Sequence, residues 1–173
     1  MKDAEGKQNA EASNNRPSLD SASGFGEVYE IVKETVKQSL GKYRIGMMLY
    51  LDDLPLQVGA YHQIGTNSII MNRALLHIVE AATSSRQVVN AFVYNILLHE
   101  YLHALGYIQE PTVRTLVYQI SVNSFGEDHI ASRLARIGPW SLLGGLPLDE
   151  VGAPKRMMKI VKDFERSNQS YIS

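Results

Sequence analysis

The sequence predicts an α+β domain. Short apolar runs bounded by glycine, aspartate and asparagine fill residues 44–72, and their length suits strands rather than helices. Segments of helical period lie on both sides of them. The longest of these, 84–105, is apolar almost all round and should be a buried central helix. With 173 residues and 45% apolar content, the chain is one domain able to bury a core.

Residues 1–23 are rich in Asn, Ser, Ala and Glu and nearly free of large apolar groups, which predicts a disordered tail. Residues 24–138 should form the domain. Phe25, Val28, Ile31, Val32, Val36 and Leu40 recur at helical spacing, and Gly41 closes that helix. Residues 44–51 (RIGMMLYL), bounded by Gly41 and Asp52-Asp53, read as a buried strand. Two short strands around 59–64 and 67–72, joined by Ile64-Gly65-Thr66-Asn67, read as an antiparallel hairpin. Residues 73–82 look helical. Ser84 with Gln87 has the spacing of a capping box, and Gly106 is the stop of the helix that follows. Pro111 suits the first turn of the next helix, which Gly126 ends. A short helix follows from Asp128 to Ala135. Residues 139–173 read as a loop with Trp140, Leu142 and Leu143, then a charged amphipathic helix over 154–168 packed on the domain.

Composition narrows the function. The net charge is −1 and no Lys/Arg cluster occurs, which argues against nucleic acid or an anionic membrane as partner. No run approaches the roughly 18 apolar residues that span a bilayer. The N-terminal segment has no apolar signal region, so a cytoplasmic location is expected. There is no cysteine, so any metal site must use histidine and carboxylate.

One string names a chemistry. Residues 99–103 read His-Glu-Tyr-Leu-His. On a helix, His99 and His103 project from one face and can grip one Zn²⁺. Glu100 lies one step round, where it can take a proton from the water that such a metal activates. A polar island in an apolar helix needs partners, and a metal is one. A catalytic zinc takes three protein ligands. Candidates for the third are Glu110, Glu127, Asp128, His129, Asp149 and Glu150. His129 is preferred, because a second helix over 111–125 running back along the first would return it near the histidines. Glu127 and Glu110 are the alternatives, and Pro111 beside Glu110 counts against the latter.

HEYLH on a central helix, after strands and before another helix, resembles the zincin metallopeptidases. The compact size and the Gly59-Ala-Tyr and Asn67-Ser-Ile-Ile-Met-Asn stretches are similar to minimal gluzincin-like (minigluzincin) domains. The resemblance implies a zincin-like fold with a small, mostly antiparallel sheet on the HExxH helix and further helices after it. It implies hydrolysis of peptide bonds in a peptide or protein substrate, with zinc held by His99 and His103 and with Glu100 as general base. It also implies that the Asn67–Asn72 strand borders the cleft and pairs with extended substrate. A metzincin would carry histidine where Gln109 stands. A gluzincin would carry a metal-binding Glu on the following helix, and residues 111–126 hold none. Tyr107, Arg114 and Tyr118 are candidate donors to the oxyanion. Tyr101 points away from the histidine face and reads as packing, and His62 and His77 as structural. Trp140 with Leu142-Leu143 could form a lid, although packing of the tail is the plainer reading. The alternative function is a zinc-stabilised binding or regulatory module without catalysis.

Overall fold

The computed structural model describes residues 19–144 and 156–165. The fold is α+β, a small four-stranded mixed sheet with helices before and after it. Helix α1 spans Phe25–Leu40. Strands β1 (Met48–Asp52), β2 (Ala60–His62) and β3 (Ser68–Asn72) follow, then helices α2 (Arg73–Thr83), α3 (Arg86–Ala104), α4 (Glu110–Phe125) and α5 (Ile130–Ile137), a 3₁₀ turn at Pro139–Leu143 and strand β4 (Lys159–Ile160).

The sheet order is β2-β3-β1-β4. Strands β2 and β3 form the antiparallel hairpin, with Tyr61 opposite Ile70. Strands β1 and β3 run parallel, with Tyr50 opposite Ile70. Strand β3 is therefore interior, and the free edge beside α3 belongs to β2. This corrects the expectation that the 67–72 strand borders the cleft. An interior strand has no unpaired backbone groups for another chain.

Helix α3 is the centre of the core. Phe92, Tyr94, Leu97, Leu98, Tyr101 and Leu102 are each at most 2% exposed. Its N-cap is Ser85, whose side chain accepts the Val88 N–H, while Ser84 ends α2 in the left-handed region at φ 48°. The capping signal thus sits one residue later than the Ser84/Gln87 pattern predicts. Asn72 ties strand to helix. Its Oδ1 accepts the N–H groups of Ala74 and Leu75, and its Nδ2 donates to the carbonyls of Leu54, Pro55 and Val58.

Both ends of the chain differ from expectation. Leu19–Ser21 forms a helical turn within the segment expected to be a disordered tail. Leu19 is fully buried, and Asn90 donates to the carbonyls of Leu19 and Ala22. Two anchored carbonyls and one buried leucine offset the cost of ordering so short a stretch. Of the helix expected over 154–168, residues 156–165 lie within the described residues and are not helical. They carry β4, which pairs antiparallel with the edge of β1. Met157 is 90% exposed and Met158 48%, so the amphipathic period has no face to bury. The open edge of β1 and a socket for Phe164, which stacks on Tyr29 at 4.2 Å, decide the conformation instead.

No helix among the described residues is long and apolar enough to cross a membrane. Trp140 packs against the core, stacked on Phe92 at 6.3 Å, with Leu143 3% exposed.

Candidate metal centre

The site begins with the way α3 ends. Gly106, at φ 99°, lets the chain turn back. The Gly106 N–H donates to the His103 carbonyl and the Tyr107 N–H to the Leu102 carbonyl, a Schellman stop. The turn delivers the Tyr107 carbonyl to His103, 2.7 Å from Nδ1. A carbonyl only accepts, so His103 carries its proton on Nδ1 and presents a bare Nε2 lone pair when neutral.

That lone pair faces two more side chains that could ligate a metal. His103 Nε2 is 3.2 Å from His99 Nε2 and 2.9 Å from Glu110 Oε1, and His99 Nε2 is 3.2 Å from Glu110 Oε2. The histidine side chains are 25% and 19% exposed and Glu110 is 53% exposed, so the group opens to solvent on the α4 side. His99, His103 and Glu110 are the one cluster among the described residues whose ligand atoms meet within 4.8 Å.

The group fits a metal. Three acceptors pointed at one space repel unless a proton or a cation lies among them. Burial disfavours the charged form of His99. Partial burial raises the Glu110 carboxyl, but His99 and His103 outweigh it, and the net shift is downward. The carboxylate therefore stays ionised beside two imidazoles. A tetrahedral ion with bonds of about 2.0–2.1 Å holds its ligand atoms about 3.3 Å apart, close to the separations here. Two imidazoles and a carboxylate suit zinc.

Glu110, and not the expected His129, stands beside the two histidines, and the reason is geometric. The histidines lie at the C-terminal end of α3, so the next helix starts beside them and runs away. Glu110 is the first residue of α4, with Pro111 in the opening turn. Pro111 sets the start of that helix and so places Glu110 at the histidines. His129 lies past the far end of the same 16-residue helix, about 24 Å away along the axis. It caps α5, with Nδ1 accepting the Ala131 N–H and Nε2 2.8 Å from Asp20. It is 1% exposed and stacked on Phe125. Glu127 accepts from the Tyr118 hydroxyl at 3.4 Å, at that same far end, and Asp128 is exposed beside it. Asp149 and Glu150 lie outside the described residues. The signal that finds Glu110 from sequence is the short 105–109 turn, since a connection of that length cannot carry the chain far from the helix end.

Glu100 is 7% exposed. Burial pushes its carboxyl up to about 7, although His103 and a donated N–H from His62 on β2 pull it down. A carboxyl poised there exchanges a proton near neutrality. Of the three candidate oxyanion donors, Arg114 pairs with Glu110, its Nε 4.0 Å from the carboxylate and its side chain 77% exposed. The Tyr107 ring lies under Lys42. His62 bonds through Nδ1 to the Ser68 carbonyl, and His77 is exposed on α2.

A cavity of about 380 Å³ lies along the N-terminal half of α3, lined by Phe25, Val28, Leu76, Val89 and Val93. None of the site residues touches it. Comparison with protein-family models, curated sequences and solved structures finds no match to the chain.

Proposed function

We propose that the chain is a zinc-dependent peptidase on a zincin-like scaffold, with His99, His103 and Glu110 as metal ligands and Glu100 as general base. The observation that carries this reading is the meeting of two imidazole Nε2 atoms and an ionised carboxylate, with a second, buried carboxyl beside them. When bound there, zinc supplies Lewis acidity and lowers the pKa of a coordinated water.

The chain's own residues do the rest. Glu100 accepts the proton from the attacking water and returns it to the leaving amine. Its buried position on the helix, with the His62 N–H on its carboxylate, fixes the direction of transfer. The Tyr107 carbonyl holds the His103 ring in its ligating tautomer. Arg114, exposed one helical turn after Glu110 and paired with it, is the proposed donor to the carbonyl oxygen as charge develops. The edge of β2 is the only strand edge next to α3 among the described residues, and an extended peptide would pair there.

The test is Glu100→Gln. It keeps the ligands and removes the base, so it should bind zinc as wild type does and lose hydrolysis of an unfolded protein substrate by about 10²–10⁴-fold. Zinc bound by both proteins with equal function in both would instead favour a non-catalytic module.

A further inference from the structure

His99 and His103 occupy the front of α3, and its back is gripped by one arginine. Arg44 lies in the segment before β1. Its Nη1 donates to the Ala104 carbonyl at 2.6 Å, and its Nη2 to the Thr66 carbonyl at 3.0 Å and to Asn67 Oδ1 at 2.6 Å. Ala104 is the last residue of the helix and its carbonyl has no intrahelical partner. Thr66 and Asn67 form the turn between β2 and β3, and β2 is the strand whose His62 N–H meets Glu100. One guanidinium therefore joins the helix end beside His103 to the hairpin that holds Glu100.

A second link sets rotation. Tyr101 is fully buried and lies about 200° round the helix from both His99 and His103. The Arg44 N–H donates to its hydroxyl at 2.6 Å, and that hydroxyl donates to the Arg44 carbonyl at 3.2 Å. Residue 44 thus holds the helix at its end through the side chain and at its back through the main chain. Turning α3 by even 20° would swing the Nε2 atoms off the point they share with Glu110, because both lie several ångströms from the helix axis.

We infer that Arg44, with Tyr101, is a positioning clamp for the metal centre, setting the depth and rotation of the helix so that His99 and His103 meet Glu110. The inference rests on reading those three residues as a zinc site. Lysine cannot replace Arg44, because a single ammonium does not span three acceptors on two elements.

The test compares zinc dissociation constants, by competition with a chromophoric chelator, for wild type, Arg44→Ala, Arg44→Lys, Tyr101→Phe and Arg156→Ala. Arg156 is the matched control. Its side chain donates twice to Asp53 in a region that touches none of the site residues. Arg44→Ala should weaken zinc binding at least tenfold, in the range of outer-sphere substitutions around metals. Arg44→Lys should not restore it. Tyr101→Phe, which removes one hydroxyl and tests the clamp if Arg44→Ala fails to fold, should weaken binding several-fold. Arg156→Ala should bind as wild type does. Wild-type affinity in folded Arg44→Ala or in Tyr101→Phe overturns the clamp, as does equal weakening in Arg156→Ala. A wild type that binds no zinc overturns the zinc reading itself.

Discussion

His103 and Glu110 meet across the end of a helix. Six residues, one of them a left-handed glycine, separate them, yet Nε2 lies 2.9 Å from Oε1. The Schellman turn at Gly106 aims the Tyr107 carbonyl at one nitrogen of His103, and the start of α4 aims Glu110 at the other. A side chain at Gly106 would strain φ 99° and move both partners. Gly106→Ala should therefore weaken zinc binding more than it weakens the fold, by about 10-fold or more against about 1 kcal/mol. Parallel zinc titration and urea unfolding check this.

Glu100, the proposed base, leaves a signature in the metal-free protein. The folded Glu100 carboxyl titrates near 7 because it is buried, well above the usual range near 4.3. A raised acid binds its proton more tightly in the folded state. Stability is therefore highest below about pH 4.5 as far as this group is concerned, and falls as pH rises toward 7. The loss is roughly 3 kcal/mol over that window. Glu100→Gln stays neutral, so it should exceed metal-free wild type in stability at pH 7.5 and match it near pH 4.5. Urea unfolding of both proteins with a chelator present is the measurement. Equal stability at both pH values would contradict the buried, raised carboxyl.

Asp53 predicts the opposite slope. Its carboxylate accepts Nε and Nη2 of Arg73 at 3.2 and 2.9 Å, and Nε, Nη2 and the backbone N–H of Arg156. The Arg73 bonds, then those of Arg156, hold its carboxyl far below the usual range. A depressed acid stabilises the fold above its unfolded value near 3.9, and that stability is lost only as pH falls through the folded value. Breaking its buried pair with Arg73 should cost about 3 kcal/mol at pH 7. The deficit of Asp53→Asn should hold from pH 7 down to about 4 and shrink only in stronger acid. Guanidinium unfolding across that range is the check, and a deficit absent at pH 7 would refute the ion pair.

Most of the fold was legible because its determinants are local. Apolar spacing marked α1 through α4, and the turn residues at 64–67 marked the hairpin. The convergence of His99 and His103, with Glu100 beside them, was legible for the same reason, since i, i+1 and i+4 on one helix fix their own geometry. The third member was not. Glu110 and His129 stand at opposite ends of one helix, and the pattern does not say which end meets the pair. Nor did local pattern show that 156–165 would extend. Its conformation is set by the vacant edge of β1 and by Tyr29, more than a hundred residues away in the chain.

Gly59 tests the packing around the edge strand. A Cβ there would sit 2.5 Å from the indole of Trp140 and 2.8 Å from Ile96 Cδ1. Gly59→Ala must displace one of them, at a cost of about 1–3 kcal/mol. Trp140 is the single tryptophan, so its emission reports the displacement directly. A shifted maximum with a lower thermal midpoint is expected, and an unchanged spectrum and midpoint would contradict the close approach.

The central claim is that Glu110, and not His129, completes the metal centre. Zinc content of purified wild type, Glu110→Ala and His129→Ala tests it most directly. One equivalent in wild type and in His129→Ala, with loss in Glu110→Ala, is the predicted result. The His129 variant should lose stability by about 2–3 kcal/mol, for its buried ring and broken bonds to Asp20 and Ala131, while keeping its metal. Zinc retained in Glu110→Ala, or absent from wild type after zinc is supplied, would contradict the account.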